Sequence, residues 1–143
     1  MALAAVAALV GGCSSTHGEA RPAPHTSSPS SGSTEHAPRE SVTKAPVLPE
    51  GEVVAQAVNA TGNRELDIRG GLKRGALTVD VNCQGKGQLT VMVKPVGLNF
   101  SLKCVDGKVT STSNQLELKR TREHGTVSVT APSRVRWALT VGR

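Results

Sequence analysis

The chain has 143 residues, with 17 Lys and Arg residues against 11 Asp and Glu residues, which gives a formal net charge of +6. This length allows one domain with or without a tail, and it excludes a multidomain enzyme and a polytopic membrane protein. The chain has one Phe, one Trp and no Tyr, so a site built from stacked aromatic rings is disfavoured. The cysteine count is odd, since there are three, and it requires an explanation of its own.

The N-terminus has the features of an export signal. Residues 1–12 are small or apolar and uncharged, a run too short to cross a membrane, which takes roughly 20 residues, but typical of a signal peptide. Val10, Gly11, Gly12 and Cys13 resemble a bacterial lipobox, which implies that Cys13 is acylated on its sulfur and becomes the first residue of the mature protein. An ordinary secretory signal cleaved nearby is the alternative. No Lys or Arg precedes the apolar run, and a start codon further upstream would explain this departure.

A segment of different composition follows the signal. Residues 14–50 contain eight Ser, four Thr and six of the eight Pro residues, too little apolar surface to offset the entropy of ordering the chain. We therefore predict a lipid-anchored disordered linker over residues 13–50. Its three histidines, His17, His25 and His36, fit no compact ligand set, so we predict neither a metal site nor a cofactor. The positive charge belongs to residues 51–143, where 14 basic and seven acidic residues give a net charge of +7.

From Gly51 onward, apolar and polar residues alternate with a period of two. This pattern and the frequent Val and Thr indicate half-buried β-strands, and short turn sequences rich in glycine separate them. We predict an all-β domain over residues 51–143, an antiparallel β-sandwich of seven or eight short strands, with a barrel as the alternative. The most regular runs are 77–83, 89–94, 98–104, 116–118, 126–131 and 134–141, and the less regular runs are 53–60 and 65–69.

If Cys13 carries lipid, Cys83 and Cys104 remain, and an exported protein can join them in a disulfide; two free thiols are the alternative. In a flat meander their strands would lie two strand spacings apart, roughly 9.5 Å. A disulfide requires Cα atoms about 4.4–6.8 Å apart. We therefore predict that one of these strands crosses to the facing sheet, or that the sheet curls tightly there. Trp137 has the inward parity of its strand and is predicted to lie in the core.

Several of these residues together suggest a family. Cys83, Gly85 and Gly87, the later Cys104 and the C-terminal run 135–141 resemble small surface lipoproteins of high-GC Gram-positive bacteria. The resemblance covers the predicted domain and the lipobox. It implies a lipid-anchored protein at the outer face of the cytoplasmic membrane. As this family carries no assigned activity, the resemblance assigns no functional residue.

The predicted domain contains one candidate catalytic residue, His124, which stands beside a glycine in a turn. Ser128 or Ser133 together with Asp106 could complete a triad, but no nucleophile motif supports this arrangement. The isolated aspartates do not form a calcium-binding loop. We predict a protein that is not an enzyme, and a small hydrolase that uses His124 is the alternative.

The basic surface is the remaining candidate for function. By strand parity, six basic side chains point outward, with Arg120 and Arg122 in the adjoining loop, and the partner that fits them is an anionic lipid or glycan of the envelope. A solvated surface without a partner is the alternative, and nucleic acid is disfavoured by the scarcity of aromatic residues. We predict a non-catalytic binding module, and an accessory subunit of an envelope complex is a further hypothesis whose protein partner the sequence does not identify. The six side chains are Arg69, Lys94, Lys103, Lys119, Arg134 and Arg136.

Overall fold

The computed structural model describes residues 40–143, in which eight antiparallel strands form two four-stranded sheets. The predicted signal peptide, Cys13 and the linker up to residue 39 lie outside the described residues. Sheet A has the strand order β1-β8-β3-β6, and sheet B has the order β2-β7-β4-β5. The strands are β1 (Val53–Thr61), β2 (Arg64–Asp67), β3 (Gly75–Gln84), β4 (Gly87–Lys94), β5 (Leu98–Cys104), β6 (Thr110–Leu118), β7 (Thr126–Thr130) and β8 (Arg136–Gly142).

The core lies between the two sheets and consists almost entirely of aliphatic side chains. Alternate residues of β3, β4 and β7 are fully buried, because successive side chains of a strand point to opposite faces of its sheet. Trp137 is 0% exposed, which confirms its predicted place in the core. Its indole Nε1 donates a hydrogen bond to the carbonyl of Gly62 at 3.0 Å, so that the polar atom of this large side chain is satisfied.

The disulfide between Cys83 and Cys104 is present and joins the two sheets. Cys83 lies on β3 of sheet A, and Cys104 ends β5 of sheet B. Their Cα atoms are 5.6 Å apart. The predicted change of sheet is confirmed, since the chain passes from sheet A to sheet B in the short turn between β3 and β4. We call this end of the sandwich the disulfide end.

Residues 40–50 form an extended strap along the outer face of sheet A. The carbonyl of Val42 accepts a hydrogen bond from the backbone N–H of Asn59 at 2.8 Å, and the side chain of Val42 is only 4% exposed. Near the other end of the strap, Leu48 packs so closely against Gly142 that a Cβ there would lie 2.0 Å from its Cδ1. Residues 40–50, which are predicted from composition to belong to the disordered linker, pack on the domain in the structure.

The strap packs because it satisfies polar groups on sheet A. The side-chain amide of Asn82 donates to the carbonyl of Ser41 at 2.9 Å. The hydroxyl of Thr140 donates to the carbonyl of Pro46 at 2.7 Å. Asn82 is 3% exposed and Thr140 is 1% exposed, so each needs such a partner. Composition could not reveal these contacts, because the strap residues themselves are mostly Ser, Thr, Pro and Glu.

Candidate anion-binding site

The loops at the end of the sandwich opposite the disulfide carry a dense group of cations. The β2–β3 loop contributes Lys73 and Arg74, and the β6–β7 loop contributes Lys119, Arg120 and Arg122. All five residues are exposed. We call these five residues the basic loop cluster.

Backbone pairing holds the two loops together. The N–H of Leu72 donates to the carbonyl of Arg122 at 2.9 Å, and the N–H of Arg122 donates back to the carbonyl of Leu72 at 2.7 Å. The N–H of Arg74 donates to the hydroxyl of Thr121 at 3.2 Å. The pairing of β3 with β6 ends where Gly75 faces Leu118. The loop that precedes Gly75 and the loop that follows Leu118 therefore continue side by side. The cations of the cluster therefore lie on two loop segments whose backbones run next to each other.

Buried contacts fix the position of these loops. Leu72 is fully buried, and it touches Gly125 so closely that a Cβ on this glycine would lie 2.5 Å from its Cγ. Gly71 has a φ of +68°, and a Cβ there would lie 2.3 Å from the carbonyl oxygen of Arg122 and 2.4 Å from that of Glu123. The backbones of the two loops can approach this closely because Gly71 has no side chain at the point of contact.

A shallow groove of about 270 Å³ runs beside the cluster, between the turn that joins β4 to β5 and the end of β6. Val96 and Leu116 provide apolar contact, and Glu117 provides a carboxylate. Three cluster residues form part of its wall. The lining residues are Pro95, Val96, Leu116, Glu117, Leu118, Lys119, Arg120 and Arg122.

The electrostatics of this end favour an anion. Between residues 40 and 143 two ion pairs occur, Lys94 with Glu65 at 3.0 Å and Arg143 with Glu52 at 3.3 Å, and neither uses a cation of the cluster. The carboxylates of the neighbouring loop sequence belong to Glu117 and Glu123. Within residues 73–74 and 117–123, five cations and two carboxylates leave a net charge of +3, on exposed side chains.

The six basic residues predicted to point outward are all exposed, but they do not form one surface. Lys119 belongs to the basic loop cluster. Lys94 pairs with Glu65 at the same end of the sandwich. Arg69 is held there too, since its guanidinium donates to the carbonyl of Val53. The other three lie toward the disulfide end and are Lys103, Arg134 and Arg136.

The disulfide end is basic as well, but its cations are spread over separate turns and strands, with Lys86 and Lys108 in turns. Arg134 donates from Nε to the carbonyl of Lys86 at 2.7 Å, so part of its hydrogen-bonding capacity is used within the protein. Lys103 lies on β5 of sheet B, and Arg136 lies on β8 of sheet A. The basic loop cluster differs in that its five cations lie within two short loop segments, residues 73–74 and 119–122, that are hydrogen-bonded to each other.

His124 is exposed in the β6–β7 loop. Of the side-chain hydrogen bonds found within residues 40–143, none involves its imidazole, and Ser128 donates instead to the carbonyl of Met92 at 3.5 Å. A serine hydrolase would need a histidine hydrogen-bonded to a serine hydroxyl. In residues 40–143, His124 makes no such hydrogen bond. In the same residues, no three His, Cys, Asp or Glu side chains lie close enough together to hold a metal ion.

Sequence reasoning missed two members of the cluster, Lys73 and Arg74. They precede β3 in a loop, where strand parity gives no direction. Lys119 and Lys73 are 46 positions apart in the sequence. The available signal was weak: Lys73 and Arg74 are adjacent in the sequence, and three of the four residues 119–122 are basic, in two segments that lie between predicted strands.

Comparison with known proteins gives no match to a family model and no match to a curated protein. Residues 40–143 contain no helix long and apolar enough to cross a membrane.

Proposed function

We propose that this protein is a lipid-anchored, non-catalytic binding module of the bacterial envelope, and that the basic loop cluster is its binding site. The ligand is an anionic envelope molecule that carries phosphate or carboxylate groups. The observation that carries this proposal is the position of five exposed cations on two hydrogen-bonded loops, none in an ion pair with the described residues.

The chemistry of the cluster suits phosphate and carboxylate groups. Arg74, Arg120 and Arg122 each present a planar guanidinium, which can donate two parallel hydrogen bonds to phosphate or carboxylate oxygens. The lysines Lys73 and Lys119 add charge without fixed geometry. A chain with repeated negative charges can contact several of these side chains at once, which favours a polymer or a charged surface over a single small anion.

Lipid attachment at Cys13 is the part of the proposal that concerns location. It rests on the apolar run before this residue and on the lipobox pattern. The test is metabolic labelling of the full-length chain with a palmitate analogue in a bacterial host. Labelling should occur and should be abolished by Cys13→Ser, and labelling that persists in this variant would contradict acylation at that residue.

Binding is tested with a matched pair of charge-reversal variants of the full-length chain. Lys119→Glu/Arg122→Glu changes the basic loop cluster, and Lys103→Glu/Arg136→Glu makes the same change of charge at the disulfide end. All four side chains are exposed, so both variants should fold.

Affinity for poly(glycerol phosphate) is measured at low and at physiological salt. The native chain should bind at low salt and weaken steeply as salt is added, because exposed charges are screened. The cluster variant should bind at least about tenfold more weakly, since two cations become groups that repel the ligand. An equal loss in both variants would indicate attraction by net charge alone and would contradict the proposed site.

A further inference from the structure

The chain joins the folded domain at a fixed place. The carboxylate of Glu40 accepts a hydrogen bond from the hydroxyl of Ser111 at 2.9 Å, and the carbonyl of Ser41 accepts one from Asn82 at 2.9 Å. Val42, the next residue, is buried. Ser111 faces Asn82 near the start of β6, one residue from the pair that contains Cys83. The chain before residue 40 therefore joins sheet A near the disulfide end.

The basic loop cluster lies at the other end of the same strand. β6 runs seven residues from Ser111 to Leu118, and at about 3.4 Å per residue this corresponds to roughly 24 Å. The β6–β7 loop, with Lys119 at its start, follows directly. The place where the preceding chain joins the domain and the basic loop cluster are thus separated by most of the length of the sandwich.

We infer that the basic loop cluster faces away from the membrane that anchors the protein, and that its ligand is a phosphodiester polymer of the cell wall. This inference rests on the proposed function, since it needs both the lipid on Cys13 and the binding of a polyanion. The protein would then connect the membrane at its lipid to the wall polymer at its basic loops.

The surface near the cluster also disfavours a membrane as the ligand. Proteins that lie on a membrane surface usually insert large apolar side chains beside their cations. The exposed large apolar side chains of residues 40–143 are Val47, Val58 and Val105. None of them belongs to the loops of the cluster, since they lie in the strap, in β1 and in the turn after β5.

The orientation can be measured by energy transfer in the full-length, lipidated protein. Glu123→Cys places a fluorophore on the β6–β7 loop, and Asp106→Cys places one at the disulfide end. Both positions are exposed, and both changes remove one carboxylate. The labelled proteins are inserted into vesicles of phosphatidylcholine with a third of phosphatidylglycerol, which also contain a headgroup-labelled acceptor lipid.

Transfer to the acceptor lipid should be at least about twofold greater from position 106 than from position 123, since the two ends of the sandwich are roughly 24 Å apart. Equal transfer, or greater transfer from position 123, would overturn the orientation and favour anionic lipid as the ligand. The full-length Cys13→Ser chain is titrated in parallel with poly(glycerol phosphate). If it does not bind at low salt, the proposed function itself fails, whatever the orientation.

Discussion

The contact of Gly71 with the β6–β7 loop provides a test of the site that changes no charge. Its Cβ would lie 2.3 Å from the carbonyl oxygen of Arg122, so Gly71→Ala must push the two basic loops apart. Gly107 is the matched control, because its φ is +69° against +68° at Gly71, and nothing lies within 4 Å of its Cβ position. Both substitutions place an alanine in the left-handed region, but only one of them produces a steric clash.

The difference between the two variants can be estimated from these contacts. An L-residue in the left-handed region costs about 1–2 kcal/mol, and this cost should apply equally to both variants. Gly71→Ala adds a clash with backbone atoms, for which overpacking suggests about 1–3 kcal/mol more. For a domain of this size, that difference corresponds to a melting temperature lower by roughly 5–20 °C.

The assay combines thermal unfolding with titration by poly(glycerol phosphate), both on the full-length chain. Gly107→Ala should bind with native affinity once it is folded. Gly71→Ala should be the less stable variant and, at a temperature where it is folded, should bind several-fold more weakly because its cations are displaced. Equal melting temperatures would refute the packing of the two loops against each other. Native affinity in a destabilised Gly71→Ala would refute the need for their relative position.

Two further predictions concern stability. Replacing Cys83 and Cys104 together by alanine should lower the free energy of unfolding by about 3 kcal/mol, given the sequence separation of 21 residues. Urea unfolding measures this loss. A loss below about 1 kcal/mol would contradict the chain-entropy estimate. In the strap, Val42→Ala should cost roughly 1–2 kcal/mol, whereas Val47→Ala, at a side chain that is 74% exposed, should cost almost nothing. Equal effects of the two substitutions would show that the strap does not pack as described.

The all-β fold could be predicted from the sequence because alternation with a period of two is strong where a strand has one buried face. β3, β4 and β5 follow the predicted runs closely. The cross-sheet disulfide could also be predicted, since the distance between alternate strands of one sheet exceeds the reach of a disulfide. These inferences required only local patterns and fixed covalent geometry.

β6 shows where such patterns fail. The sequence indicates only residues 116–118 as a strand, whereas the strand begins at Thr110. β6 is an edge strand, and its inward positions Thr112 and Asn114 are only half-buried. Polar residues can occupy such positions without a large cost, so the apolar alternation that marks a strand is missing there.

The strap and the basic loop cluster depend on contacts between distant parts of the chain. Val42 is buried because Asn59 and Asn82 lie next to the strap, and these residues are 17 and 40 positions further along the sequence. Arg74 and Thr121 meet because β3 pairs with β6. Strand order decides both arrangements, and local alternation of apolar and polar residues identifies strands without specifying their order in the sheets.

The most direct test of the central claim is to map where an anionic polymer binds. Amide chemical shifts of the full-length protein are recorded while a short poly(glycerol phosphate) oligomer is added at low salt. The shifts should change most at residues 72–74 and 119–123, with smaller changes at the groove residue Val96. Changes that centre instead on Lys86, Lys103 and Arg134, or that spread evenly over the basic residues, would contradict the basic loop cluster as the binding site.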